Sequence, residues 1–408
     1  MENRKFPYVT VTRKAEKSLR AGHPWVFGEE ITSLSEPVEN GELVDVYTEG
    51  KRFIGTGFIN DHSKIRVRLL SRNANDRFDE AFFERRVRYA FAYRKTVMGE
   101  DFSNCRLIFG EADQFPGLTV DCFGDILVVQ TLSLGMEKRK ELLFSLFVKV
   151  LSEMGEPVRA IYERNDVAIR ELEGMQQYTG FYAMPGLATA LDGHVEIVEN
   201  GIRYDVDYIH GQKTGFFLDQ KYNRAAVARL CPGKRVLDCF THTGAFALNA
   251  AKAGAMHVTA VDVSADALSL ARANAVRNGL DGCMSFICTD VFDLLTGMAE
   301  EGKREYDLII LDPPAFTKSS STVKNAMRGY KEINMKAMKL LPRGGYLATC
   351  SCSHFMTETL FRKMLHDAAA DVGVSLRQIE ARQQSPDHPI LWNVSETEYL
   401  KFYIFQVV

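Results

Sequence analysis

No run of apolar residues in the 408-residue chain approaches the roughly 20 needed to cross a bilayer. The first twenty residues, Met1 to Arg20, alternate polar and apolar side chains and lack the apolar core of a signal peptide. Neither membrane association nor export is expected, and the expected location is cytoplasmic. The eight cysteines (Cys105, Cys122, Cys231, Cys239, Cys283, Cys288, Cys350 and Cys352) show neither metal-ligand nor disulfide-framework spacing. No metal is expected, and each thiol reads by default as a small, reduced, buried hydrophobe. An excess of charge of one sign is lacking as well. With 50 Lys+Arg against 53 Asp+Glu the net charge is -3, so the chain as a whole has no pull toward nucleic acid.

Local charge is less even. Arg66, Arg68, Arg72, Arg77, Arg85, Arg86, Arg88 and Arg94 crowd the stretch between Lys64 and Lys95, against Asp76, Asp79, Glu80 and Glu84. Such an excess can meet phosphates, and it can equally be a solvated helix face. A length of 408 residues exceeds one ordinary core and implies two or three domains. From Met1 to about Arg72, turn signals at Asn40-Gly41 and Glu49-Gly50 separate strand-like runs, which suggests a small barrel-like β module. A helical pattern covers Asp79 to Thr96, with Phe82, Phe83, Val87, Ala90 and Phe91 at helical spacing. A small α+β unit follows. It has an expected hairpin around Phe123-Gly124-Asp125, a helix from about Met136 to Glu153, a strand at Ala160–Glu163 and a joint at Tyr182 to Gly193.

From about Gly233 the rhythm becomes strand, helix, strand, helix. Strands are expected at 235–238, 257–262, 284–287, 306–311 and 345–349, with helices at 246–253 and 265–278 among the connections. This alternation is that of an α/β parallel sheet covered on both faces, whose ligands bind at the carboxyl ends of the strands. The first strand ends Asp238-Cys239-Phe240-Thr241-His242-Thr243-Gly244-Ala245, with one glycine where a dinucleotide fold shows three. A carboxylate there repels a pyrophosphate but suits a cofactor with a cationic end, such as the ammonium and sulfonium of an activated methionine. Asp262 closes the second strand, where a carboxylate accepts ribose hydroxyls, and Asp290 follows the third, where one accepts from an adenine amino group. Each alone is as well explained as a helix cap; three in succession are not.

The segment Val236 to Gly279 resembles the first two motifs of class I S-adenosylmethionine-dependent methyltransferases. Leu311-Asp312-Pro313-Pro314-Ala315-Phe316 resembles the fourth and Cys350-Ser351-Cys352-Ser353 the sixth. The whole chain is similar to the RlmI-type family of ribosomal RNA large-subunit methyltransferases. Gly22–Phe27, Glu111–Asp121, Tyr162–Asp166 and Gln212–Gln220 carry that likeness outside the catalytic half. The resemblance implies an N-terminal PUA-like RNA-binding barrel (1–74), a central small α+β domain (75–187) and a Rossmann-like methyltransferase domain (188–408) that uses S-adenosyl-L-methionine. It implies that Asp238, Thr243, Gly244, Asp262, Asp290 and Asp312 line the cofactor pocket, with Phe217 and Gln220 closing over it. Thr241-His242 stands where relatives often show Cys-Tyr, and Ala245 where glycine is common.

In Asp312-Pro313-Pro314-Ala315-Phe316 two prolines remove two amide donors, leaving carbonyl acceptors beside an aromatic ring. That combination suits a nucleobase flipped out of its stack, bonded through its amino group and stacked on Phe316; the plainer alternative is a rigid turn with a core phenylalanine. Methylating a base nitrogen needs no more. Carbon 5 of cytosine has no lone pair, so a thiolate must first add to carbon 6. Cys352 matches the family's nucleophile position, with a passive thiol as the alternative, while Cys350 lies two residues earlier. No second cysteine stands at the fourth motif, so the group removing the carbon 5 proton is not identified. Asp387-His388-Pro389 resembles a segment near the family's active site, where His388 acts on the carbon 5 proton, contacts the RNA substrate or serves as a structural histidine. The leading expectation is 5-methylcytidine formation in large-subunit ribosomal RNA. The alternatives are guanine-nitrogen methylation and a non-catalytic RNA-binding assembly factor. Oligomeric state is left open, a homodimer included.

Overall fold

The computed structural model describes residues 6–317 and 319–408. The first five residues of the expected N-terminal domain therefore lie outside the described residues. The chain forms two compact units. One comprises Met1–Glu196, Val206–Leu218 and Pro386–Thr397; the other comprises Ile197–Asp205, Asp219–Ser385 and Glu398–Val408. Among the described residues no helix is long and apolar enough to cross a membrane.

The first unit holds two larger sheets. Six strands between Tyr8 and Ser71 make a mixed sheet in which Tyr8–Val11 runs parallel to Leu43–Thr48 and the remaining pairs are antiparallel. Alternation drives its core: Val9, Val11, Val44, Val46 and Val67 point inward with Leu19 of the helix Arg13–Arg20, all at 0% exposure. A second sheet of five strands spans Asn104–Phe109, Leu118–Phe123, Ile126–Thr131, Ala160–Asn165 and Tyr178–Phe181. The hairpin expected at Phe123-Gly124-Asp125 is present, with Gly124 at φ +61. The expected helix 136–153 is broken into Leu134–Glu137 and Lys140–Glu153.

The sheets on either side of residue 74 lie in one compact unit, and buried polar bonds join them. Arg68 reaches Glu173 at 2.9 Å and Glu111 at 3.2 Å, and Asn60 Nδ2 donates to Glu173 at 2.9 Å. Much of the arginine-rich stretch is engaged in such bonds. Arg94, at 0% exposure, pairs through both terminal nitrogens with Asp113 and donates to the carbonyls of Arg106 and Asp387. Arg86 donates to the carbonyls of Leu70 and Gln114, and burial pulls its guanidinium down to about 10.

The second unit is built on seven strands: β1 (Arg235–Cys239), β2 (His257–Asp262), β3 (Met284–Cys288), β4 (Leu308–Leu311), β5 (Tyr346–Ser351), β6 (Leu376–Arg382) and β7 (Lys401–Val407). Their order is β3-β2-β1-β4-β5-β7-β6, parallel except for β7, which runs antiparallel to both neighbours. Helices α1 (Ala245–Lys252), α2 (Ala265–Arg277), α3 (Val291–Glu300), α4 (Val323–Leu340) and α5 (Glu358–Val372) lie in the connections from β1 through to β6. Val236, Leu237, Val258, Ile309, Ile310 and Leu347 are all at 0% exposure, as strands covered on both faces require. The five expected strands are all present. The pair β6 and β7 has no α-helix between its members and so lies outside the alternating rhythm from which the others are read.

The two kinds of arginine pair should separate in a denaturation experiment. Arg94→Met strands the Asp113 carboxylate and two carbonyls inside the first unit and should cost about 3–5 kcal/mol. Arg85→Ala loses a surface pair with Asp76 (3.3 Å) and a contact with the Phe82 ring (5.6 Å), and should cost no more than about 1 kcal/mol. Urea midpoints followed by circular dichroism would decide; equal effects would contradict the assignment.

Candidate active site

Four parallel strands deliver four carboxylates to, or just past, their carboxyl ends. Asp238, near the end of central β1, is at 0% exposure. Its Oδ2 accepts from Thr241 Oγ1 at 2.5 Å and from the Ala247 amide at 2.9 Å, while its buried Oδ1 has no partner among the described residues. Burial outweighs those two bonds, Asp312 and Asp262 add repulsion, and the carboxyl is pushed up to about 7.

The turn that follows is tight. Phe240 and His242 hold positive φ of 64° and 51°, and Gly244 has φ +83. A Cβ on Gly244 would come within 3.0 Å of Ala271 Cβ on α2, so both the backbone and the packing favour glycine. Thr243 is buried beside it. The His242 amide donates to Asp262 Oδ2 at 2.8 Å and the Ser264 amide to Oδ1 at 2.9 Å, which ties this turn to the end of β2. Asp290 is exposed and caps α3, its Oδ1 accepting from the amides of Phe292 (2.7 Å) and Asp293 (3.4 Å). The helix-cap role weighed against it is therefore present in fact.

Asp312, just past β4, gathers a second group. Its Oδ1 accepts from Gln220 Nε2 at 3.1 Å and from Cys350 Sγ at 2.8 Å. Burial holds the Asp312 carboxyl above its ordinary range, and burial beside that carboxylate pushes the Cys350 thiol well up. Cys350 is thus a protonated donor. Gln220, 4% exposed, is fixed from behind by Asn223, whose Nδ2 donates to its Oε1 at 2.6 Å. Pro313 is buried. Phe316 is half-buried, with its ring 4.5 Å from Tyr330, 5.8 Å from Phe292 and 6.5 Å from Phe240. Gly329 on α4 makes room for it: a Cβ there would lie 3.3 Å from Phe316 Cδ2. The ring is seated in the core margin and retains some exposure.

Strand β5 stops at Ser351, one residue short of Cys352, so the two cysteines do not share a continuing strand. Cys352 is half-buried in a turn gripped from two sides. Tyr330, fully buried on α4, has its hydroxyl 3.0 Å from Ser351 Oγ and 3.0 Å from Ser353 Oγ. Lys401, opening β7 opposite Ser351, donates to the Ser353 carbonyl at 2.7 Å and to the Tyr399 carbonyl at 2.8 Å. Neither Tyr330 nor Lys401 was singled out from the sequence. The available signals were one lysine at the head of the apolar run Phe402–Phe405 and a tyrosine on the inner face of an amphipathic helix.

Two expected site residues belong to the first unit instead. Phe217 is half-buried, with Lys213 Nζ 4.8 Å from its ring centre. His388 is 2% exposed, its Nδ1 2.9 Å from Asp387 Oδ1 and its ring 5.4 Å from Phe109. Asp387 in turn accepts the Arg106 amide at 2.8 Å. Among the described residues no three His, Cys, Asp or Glu side chains are grouped so as to hold a metal ion.

Comparison with known proteins bears on this geometry. A PUA-like domain matches residues 9–72 and an S-adenosylmethionine-dependent methyltransferase family matches residues 170–406. Ribosomal RNA large subunit methyltransferase I of Klebsiella pneumoniae is 38% identical over 405 residues, covering 99% of both chains. The same-named protein of Shigella dysenteriae is 39% identical over 402 residues, covering 98% of both. Among solved structures, a Streptococcus mutans chain proposed to be a SAM-dependent methyltransferase superposes with a TM-score of 0.81 at 23% identity, covering 98% of this chain and 99% of that one. A second, solved with SAH, gives 0.82 at the same identity and coverage. These two speak for the fold. The similarity runs the full length of the chain, and the buried carboxylate at the tip of the central strand agrees with it. The chain belongs to the S-adenosylmethionine-dependent methyltransferases and, within them, to the family of ribosomal RNA large subunit methyltransferase I.

Proposed function

We propose that this protein forms 5-methylcytidine in large-subunit ribosomal RNA, with Cys352 as the nucleophile. The observation that carries the reading is the contrast between two cysteines two residues apart. Cys350 is buried and committed as a donor to Asp312, whereas Cys352 is half-buried in a turn held on both sides. A nitrogen methyltransferase has no use for a thiol there. The PUA-like match and the names of the curated relatives support ribosomal RNA as substrate, and eight reduced thiols suit the cytoplasm.

S-adenosylmethionine, when bound, supplies an electrophilic methyl group on sulfur. The residues present fit it: Asp238 Oδ1 is a buried acceptor lacking a partner among the described residues, as a cofactor ammonium would require, and Asp262 stands ready for ribose hydroxyls. Asp290, with Oδ1 used as a cap, has its other oxygen for the adenine edge. Asp312, held by Gln220, lines the cofactor pocket with them, and the Pro313–Phe316 turn positions the base, with carbonyl acceptors and the partly exposed Phe316 ring. The Cys352 thiolate would add to carbon 6, and the new electron density at carbon 5 would take the methyl group as its bond to the sulfonium sulfur breaks and S-adenosylhomocysteine leaves. Loss of the carbon 5 proton to a base then expels the thiolate. His388, buried against Asp387 and Phe109, takes the structural alternative.

Nucleoside mass spectrometry after incubation of ribosomal RNA with labelled cofactor tests this reading. Cys352→Ala should lower 5-methylcytidine formation by roughly a thousandfold or more, the scale of a lost nucleophile. Cys350→Ala should cost no more than about tenfold, the worth of one hydrogen bond to Asp312. A methylguanosine product that survives Cys352→Ala would favour the guanine-nitrogen alternative and end the cytosine mechanism. Absence of any labelled nucleoside, on assembled particles as well as naked RNA, would favour the assembly-factor alternative.

The raised carboxyl of Asp238 gives a second expectation. With a folded value of about 7, the ligand-free protein carries this proton below neutrality and must release it to bind a cationic ammonium. Affinity for S-adenosylhomocysteine should therefore rise about tenfold per pH unit up to about 7 and then level off. Asp238→Asn should bind weakly with no such rise. Calorimetric titration across this range would measure it, and a flat wild-type profile would contradict the assignment.

A further inference from the structure

The proposed mechanism uses Cys352 but leaves Lys401 without a part, and Lys401 is the harder residue to explain by architecture alone. It is 7% exposed, and among the described residues its ammonium is bonded to two neutral carbonyls, of Ser353 and Tyr399. No carboxylate pairs with it among the described residues. Glu358 on α5 accepts from the Tyr403 hydroxyl at 2.7 Å, and Glu398, three residues before Lys401, is exposed. A buried cation without a counter-charge is unfavourable unless something nearby becomes negative.

We propose that Lys401 is a positioning residue for the methyl-transfer reaction, one that holds the Cys352 turn in place and stabilises the Cys352 thiolate with its buried ammonium. This rests on the reading of Cys352 as nucleophile. Two of the three ammonium hydrogens grip carbonyls, one of them on the residue after Cys352, which leaves one donor of the three. The titratable groups facing it are Cys352 and Cys350 at the end of β5, Glu358 on α5 and Glu398 ahead of β7; Tyr330 on α4 faces the same two cysteines. Of these, Cys350 is held protonated against Asp312, and the Tyr330 hydroxyl is pushed up to about 12 by burial, so neither supplies a negative charge at neutral pH. Burial also draws Lys401 down to about 8, which still leaves it charged at neutrality. When Cys352 gives its proton to water, the resulting thiolate supplies the missing counter-charge.

The test reads the thiol directly and needs no RNA. Iodoacetamide alkylation is followed by peptide mass spectrometry across pH, with exposed Cys288 as the internal reference. In the wild type, Cys352 should alkylate with a midpoint below the ordinary thiol value of about 8.5. Lys401→Met and Lys401→Gln should move that midpoint up by about one unit and slow alkylation at neutral pH about tenfold. Lys401→Arg should restore most of it. Gln keeps a donor for the Ser353 carbonyl without the charge, so a Gln variant matching the wild type would reduce Lys401 to a strand clamp and overturn the proposal. So would a wild-type midpoint equal to that of Cys288, a result that does not depend on any variant folding. S-adenosylhomocysteine binding by each variant reports that its second unit is folded. If the alkylation shifts appear while Cys352→Ala keeps full methyl transfer, the nucleophile reading fails and the effect of Lys401 on the thiol stands apart from it.

Discussion

The carboxylate of Asp238 is buried at the tip of the central strand with one oxygen left without a partner among the described residues, and the catalytic unit is organised around that fact. Placing it there needs β1 flanked by β2 and β4, so that apolar Val236 and Leu237 carry the strand through the core and the chain turns only once it reaches the ligand edge. Holding it there needs Thr241 and the Ala247 amide on Oδ2. The turn between them has room because Gly244 lacks a side chain against α2. Asp262 and Asp312 on the neighbouring strands add negative charge to the same edge. Such an edge rejects an anionic cofactor and favours a cationic one, which is the electrostatic signature of a family whose methyl donor is a sulfonium.

The two cysteines of the β5 end show how position outweighs residue type. Cys350 lies within the strand, where pairing with β7 and burial fix it against Asp312 and keep its proton. Cys352 lies one residue beyond the last paired position, in a turn whose shape depends on side chains from α4 and β7. Moving a thiol two residues along the chain exchanges a buried donor for a half-buried thiol outside the strand. Tyr330 serves the same turn and packs on Phe316, so the ring proposed to stack on the base and the thiol turn share one support.

Much of this was legible in the sequence because parallel strands buried on both faces are apolar runs of limited length, and because their ends carry acids at regular places. The β1–β5 strands and the helices following β1 and β2 stand within a residue or two of where the pattern puts them. The strands β6 and β7 escape it, since an antiparallel pair at the sheet edge breaks the β-α rhythm and β6 reads Leu-Arg-Gln-Ile-Glu-Ala-Arg, with little apolar character. Lys401 was missed for that reason: its meaning comes from the register that sets it opposite Ser351, which no local pattern announces. The arginine run is ambiguous in the other direction. Sequence spacing cannot say which guanidinium folds inward, and Arg68, Arg86 and Arg94 bond internal carbonyls and carboxylates.

Several buried charges in this protein are handled by pairing. Arg94 has Asp113, Arg106 has Asp121 at 2.6 Å, and Arg224 has Glu199 at 2.6 Å. Asp238 and Lys401 depart from that pattern, with opposite signs and in the same unit. A carboxylate waiting for a cation and an ammonium waiting for an anion are both destabilising in the resting fold. Each is relieved by a different event: cofactor binding for the first, thiol ionisation for the second. On this reading the fold holds unfavourable electrostatics where the reaction will supply the missing charge, and it uses its paired arginines for architecture.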